Sequence, residues 1–277
     1  MKIAVLSGKG GAGKTFVSVN LAASAFRSVY IDCDVEEPNG HLFFHPEPLT
    51  EQTVTSTLPH FNTELCTGCR TCVNFCHFNA LAFIKHKPVL FPELCHSCGG
   101  CSLLCPSHAI TETVRPVGLV RTGQHEQVHV IEGIMNVGEV STVAIIQKAL
   151  SYSDSEELCI IDCPPGSGCP VIESVQDADY CLLVAEPTAF GFHNFRMVHE
   201  LVTILGKPCG VIINKSTEPY TPLLNYCQQH QLKVLADFPY DPDLAHITSE
   251  GKIAVEQRES VRLQFTELLE KIRGEVK

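Results

Sequence analysis

The sequence predicts a doubly wound α/β fold, a mostly parallel sheet covered on both faces, interrupted by a small α+β insert. Three observations predict it. The first 34 residues read as strand, glycine-rich loop, helix and strand. Apolar β-prone runs separated by helical stretches resume after about residue 114, and the segment between has a different composition and an internal repeat. Strands that alternate with helices make a parallel sheet buried on both sides, so their runs are continuously apolar.

Lys2–Leu6 is the first strand, and the glycine run Ser7–Gly13 follows it. Thr15–Phe26 carries apolar residues at helical spacing, and Val29–Cys33 is a second buried strand. A hairpin of Val114–Arg121 and Gln127–Ile131 is expected next, then strands at Leu158–Cys163, Tyr180–Ala185, Cys209–Ile213 and Lys233–Ala236. Near the end, Val261, Phe265, Leu268, Leu269 and Ile272 form an apolar stripe at helical spacing. Its polar face mixes Glu259, Glu267 and Glu270 with Arg262, Lys271 and Arg273, without the basic excess of a membrane-surface helix. The stripe is therefore expected to pack on the sheet.

Composition narrows the function. The chain has 277 residues, 44% of them hydrophobic, and a net charge of −11. No apolar run approaches the roughly 18 residues of a spanning helix, so no membrane insertion is expected. The acidic balance argues against nucleic acid as a partner. Nothing at the N-terminus resembles a secretory signal, so a reducing cytoplasm is expected, in which the 15 cysteines are expected as metal ligands rather than disulfides.

Eight of those cysteines lie between residues 62 and 111. Glu64-Leu65-Cys66 recurs as Glu93-Leu94-Cys95, and Cys66, Cys69, Cys72 and Cys76 each have a counterpart 29 residues on, at Cys95, Cys98, Cys101 and Cys105. Two copies are too few for a solenoid, so this is a small two-fold module. Each copy has the C-x2-C-x2-C-x3-C spacing of bacterial ferredoxins, in which the fourth cysteine ligates the other copy's cluster. Cys66, Cys69, Cys72 and Cys105 are assigned to one [4Fe–4S] cluster, and Cys95, Cys98, Cys101 and Cys76 to the second. Structural zinc sites pair two C-x2–4-C knuckles and have no use for the third cysteine. His77 follows the first run where Pro106 follows the second. The expected boundaries are 1–60 and 114–277 for a discontinuous α/β domain and 61–113 for a ferredoxin-like insert.

Gly8, Lys9, Gly10, Gly11, Ala12, Gly13, Lys14 and Thr15 fit G-x-x-x-x-G-K-[ST], between a predicted strand and a predicted helix. The glycines let backbone N–H groups form an anion nest, Lys14 reaches β- and γ-phosphates, and the Thr15 hydroxyl ligates Mg²⁺. ATP or ADP with Mg²⁺ is the ligand such a loop takes.

The second lysine, Lys9, resembles the deviant Walker motif of the MinD/ParA family, which includes the nitrogenase iron protein and Mrp-type cluster carriers. The resemblance covers about 1–60 and 114–277. It implies a homodimer formed on ATP binding, with Lys9 crossing to the partner's phosphates. It also implies that Asp34 orients the attacking water and that Asp162 holds Mg²⁺ through water. Pro164-Pro165-Gly166 resembles the second switch. Asn214 is implied in adenine recognition, and Pro239 and Asp241 in the loop over the base. Gly133–Glu139 resembles the segment that joins the insert to the ATPase in ferredoxin-bearing members.

The resulting expectation is a slow ATPase coupling MgATP to electron transfer through two clusters to a redox or Fe–S client protein, with a paralogous ATPase as a further candidate partner. The alternatives are an Fe–S carrier and a MinD/ParA-like spatial regulator. Cys169, beside the second switch, is a candidate ligand of a bridging cluster in the carrier reading; otherwise burial is its expected fate.

Overall fold

The structure is a computed structural model and describes residues 1–153 and 158–276. The chain opens with β1 (Lys2–Leu6), α1 (Lys14–Ala23), β2 (Ser28–Asp32), a short α2 (His41–Phe44) and a long β3 (Glu47–Phe61). The cysteine module follows, with α3 (Thr71–Phe75), a small hairpin of β4 (Leu81–Ile84) and β5 (Lys87–Leu90), and α4 (Gly100–Leu103). Then come β6 (Ile110–His125), β7 (Val128–Met135), α5 (Val143–Leu150), β8 (Leu158–Asp162), α6 (Cys169–Val175), β9 (Tyr180–Ala185) and α7 (Ala189–Ile204). The last elements are β10 (Cys209–Ser216), α8 (Thr221–Gln229), β11 (Val234–Pro239), α9 (Pro242–Ser249), α10 (Ala254–Gln257) and α11 (Glu259–Glu275).

Nine strands form one sheet in the order β11-β10-β9-β1-β8-β2-β7-β6-β3. Every pairing from β11 to β7 is parallel, and β6 and β3 add an antiparallel edge. Side chains alternate between two cores. Ile3, Val5, Ile160, Leu182 and Val184 pack on one face with α1 and α11, and Ala4, Leu6, Cys159, Ile161, Cys181 and Leu183 pack on the other with α5 to α8. Burial on both faces explains why these strands read as unbroken apolar runs. The C-terminal stripe is buried as expected, all five of its residues lying within α11.

Two readings of the sequence need correction. Helix α1 ends at Ala23, not Phe26; the Ser24 hydroxyl bonds back to Leu21 O, and Phe26 is exposed. The stretch 47–61 gave no strand signal, yet β3 is the second longest strand. It is polar and holds Pro59, which an edge strand accommodates because one row of its N–H groups is unpaired.

The antiparallel edge positions the module. β7 pairs with β6 only as far as Met135↔Gly118, whereas β3 and β6 stay paired to Phe61↔Ile110. β6 therefore runs on for about 25 Å past the sheet, at roughly 3.3 Å per residue. This two-stranded arm leaves the C-terminal edge of the parallel strands, and Asn62 N donates to Ala109 O (2.8 Å) at its tip. Residues 110–113 thus belong to the arm.

Candidate nucleotide and cysteine sites

The loops after β1, β2, β8, β10 and β11 surround a cavity of about 1060 Å³ at the C-terminal edge. Lys9, Gly10, Gly11, Gly13, Lys14, Thr15, Asp34, Asn214, Pro239 and Asp241 all line it. Three other sequence candidates lie just behind the wall. Gly8 packs on α7, where a Cβ would meet Asn194 O at 2.2 Å. Ala12 O accepts from Asn214 Nδ2 (2.9 Å), and Asp162 is fully buried beneath Lys14.

The phosphate loop has the backbone its glycines permit. Gly11 and Gly13 adopt φ of +79° and +93°, and a Cβ on Gly13 would stand 2.0 Å from Asn214 Nδ2. Asn214 thereby ties the end of β10 to the loop. Lys215 Nζ adds a bond to Gly11 O (2.7 Å).

Lys14 is the electrostatic centre. Its Nζ is 2.6 Å from Asp162 Oδ1 and 3.7 Å from Asp34 Oδ2. Burial alone would lower its pKa, but the charges of Asp162, Asp32 and Asp34 outweigh that and hold it well above the usual lysine range. Burial pushes the Asp34 carboxyl up to about 6 against the attraction of Lys14. Burial, then the charge of Asp162, raises Asp32 as well. Asp32 accepts the backbone N–H groups of Asp34 (3.0 Å), Asn39 (3.0 Å) and Gly40 (2.9 Å), so it pins the loop that presents Asp34.

Lys9 pairs with Glu186 and sits 5.8 Å over the Phe190 ring. Asp241 caps α9, accepting from Asp243 N (2.8 Å) and Leu244 N (3.2 Å), and Arg258 bonds to its other oxygen.

The module places its eight cysteines around two hollows. Cys66, Cys69, Cys72 and Cys105 line one, and Cys76, Cys95, Cys98 and Cys101 line the other. Cys69 is lowered by the Thr71 hydroxyl and amide, and the Cys105 thiol accepts from Ala109 N (3.3 Å). Burial pushes Cys101 up to about 11. Among the described residues, no group of three or more His, Cys, Asp or Glu is placed to hold a metal ion. Each set of four surrounds a hollow rather than converging on a point.

Cys169 is exposed at the first turn of α6, contrary to the burial expected of it. Cys33, Cys159, Cys163, Cys181 and Cys227 are buried core thiols. Tyr30, Asp32 and Glu186 escaped the sequence reading. Only Asp32 left a signal, as a second strand-end carboxylate two residues from Asp34.

The sequence matches the CobQ/CobB/MinD/ParA nucleotide binding domain over residues 3–255. An uncharacterized protein of Methanocaldococcus jannaschii, MJ0578, is 30% identical over 279 residues, covering 99% of this chain and 96% of that protein. The cell division ATPase MinD of Pyrococcus furiosus shares the fold, with a TM-score of 0.60 and 18% identity over 98% of each chain. MinD of Pyrococcus horikoshii, complexed with Mg-ADP, gives a TM-score of 0.60 and 17% identity, covering 98% of this chain and 95% of that one. From phosphate loop to family match, the chain belongs to the CobQ/CobB/MinD/ParA nucleotide-binding family.

Proposed function

We propose that the chain is an ATP-driven switch of the MinD/ParA kind whose output is delivered through the cysteine module. The observation that carries the nucleotide half is Lys14 held between Asp162 and Asp34 at the mouth of a phosphate nest. A triphosphate offers Lys14 stronger anions than either carboxylate, so binding frees Asp34 and Asp162 for their own work. Thr15 directly, and Asp162 through a water, would hold Mg²⁺, which would supply charge neutralisation at the phosphates. Asp34 then orients a water for in-line attack on the γ-phosphorus, with ADP leaving. Lys9 leaves Glu186 to reach a second protomer's phosphates, and Asn214, Pro239 and Asp241 seat the base.

The crossed grouping of cysteines, four to a hollow, supports two [4Fe–4S] clusters. The donor set of each hollow fits: four thiols apiece, with Glu112 at the second already accepting from the Ser102 hydroxyl (2.7 Å), and apolar walls that include Phe61 and Phe83 in one and Phe75, Phe78 and Leu81 in the other. Bound clusters supply one-electron chemistry, and a redox or Fe–S client is the corresponding partner. A regulator of the MinD/ParA type, without redox work, is the second reading. The likeness to MinD favours it, because that likeness is to a cell division ATPase and extends over 98% of each chain.

Iron and sulfide counting after anaerobic reconstitution separates them. The cluster reading expects about eight irons per chain. Cys66→Ser and Cys105→Ser each remove about half, and combining them removes no more; Cys66→Ser with Cys76→Ser removes nearly all. Iron-free protein with full nucleotide-dependent dimerisation leaves the regulator reading in place.

A further inference from the structure

We infer that Tyr30 is a positioning residue for the magnesium-binding carboxylate Asp162. Tyr30 lies on β2, the strand beside β8, and is completely buried. Its hydroxyl donates to Asp162 Oδ2 at 2.9 Å, while Lys14 takes Oδ1 at 2.6 Å. Both carboxylate oxygens are therefore committed, one to a fixed group and one to a group that nucleotide draws away.

The phenol is where it is for more than packing. A buried hydroxyl costs free energy unless it is bonded, and a phenylalanine would fill the same space without that cost. The ring itself is clamped. A Cβ on Gly40 would meet it at 2.3 Å, and Phe44 packs against it with centroids 5.0 Å apart. Gly40 N is in turn held by Asp32. Tyr30 therefore joins the Asp162 carboxylate to the loop that follows Asp34, and it fixes the plane of that carboxylate so that Oδ1 faces the cavity side. Rigid placement of a carboxylate by a neighbouring donor is how partners outside the coordination sphere set cation affinity.

The inference rests on the assignment of Asp162 to Mg²⁺. The test is the affinity of a fluorescent ADP analogue with and without Mg²⁺, for the wild-type chain and Tyr30→Phe. The wild type binds more tightly with Mg²⁺. Tyr30→Phe matches it without Mg²⁺ and loses about tenfold of the gain, the order carried by one hydrogen bond to a charged group. A variant with the full Mg²⁺ gain, or one equally weakened in both conditions, overturns the role. A wild type indifferent to Mg²⁺ overturns the assignment of Asp162 and this inference with it.

Should Tyr30→Phe fail to fold, the wild-type chain labelled with fluorotyrosine answers instead. It has six tyrosines, and phenylalanine variants of the other five assign the Tyr30 resonance. That ¹⁹F signal shifts between ADP and Mg-ADP if Tyr30 holds the carboxylate. A resonance that ignores Mg²⁺ overturns the proposal.

Discussion

Lys14 shares a buried pocket with Asp32, Asp34 and Asp162, one cation among three carboxyls. Burial decides the balance at Asp34, whose pKa rises to about 6. An unfolded aspartate titrates near 3.9. Between roughly pH 4 and 6 the folded chain thus holds a proton that the unfolded chain has released. Its stabilising contribution is full below that window and is lost as pH rises through about 6. Asparagine cannot ionise and escapes this loss. Asp34→Asn is expected to be more stable at pH 7.5, by on the order of 2 kcal/mol, with the advantage gone below about pH 4. Urea unfolding across pH measures it. The same variant should bind ATP and lose its turnover by 10²-fold or more, on the order of what a positioned acid–base group contributes. The sequence reached Lys14 through its glycine spacing, and Asp34 and Asp162 through the family resemblance of the strand ends that carry them. It could not reach Tyr30, because an aromatic in an apolar run looks like core until its hydroxyl is seen to face a carboxylate.

At the scale of elements, the parallel strands were legible and the edge was not. Residues such as Ile3, Ile160 and Leu182 touch a core on each side of the sheet, so their runs carry the burial signal undiluted. β3 touches the core at few points, Val54 among them, and its Thr and Glu side chains face solvent. The cysteine hollows were legible for a different reason: ligand spacing is local, and the bacterial ferredoxin pattern that it matches implies which thiols share a hollow. The phosphate loop yields a direct contrast between two of its glycines. Gly13 combines φ of +93° with a Cβ position 2.0 Å from Asn214, whereas Gly10 has open space around it. Gly13→Ala should lower stability by about 2 kcal/mol through strain and overlap and abolish nucleotide binding. Gly10→Ala should leave the stability of the nucleotide-free protein nearly unchanged. Thermal unfolding with nucleotide titration distinguishes them, and equal losses of stability would sink the argument.

For the whole molecule, the question is how a change at the phosphate loop reaches a module carried about 25 Å beyond the sheet edge on the arm. The route is short in hydrogen bonds. Val35, next to Asp34, accepts at its carbonyl from Met135 N (2.9 Å) at the end of β7. Asn136 then donates from its backbone to Val117 O (2.9 Å) and from its side chain to Pro116 O (3.4 Å) at the root of the arm. Glu139 completes the joint by pairing with Arg115. On the proposed function, a shift of the Asp34 loop with ATP would be passed along these bonds to the strand that leads to Cys105. Hydrogen exchange reads this directly. A non-hydrolysable ATP analogue is expected to slow exchange in residues 132–139 and also in 110–117. Glu139→Gln removes the charge that clamps Arg115 while leaving the Val35–Met135 bond, so protection should persist near Met135 and weaken along 110–117. Nucleotide affinity should be unaffected, because neither Glu139 nor Arg115 lines the cavity. If ATP protects 132–139 in the wild type and leaves 110–117 unchanged, the arm is a passive stalk and the two halves of the protein work independently.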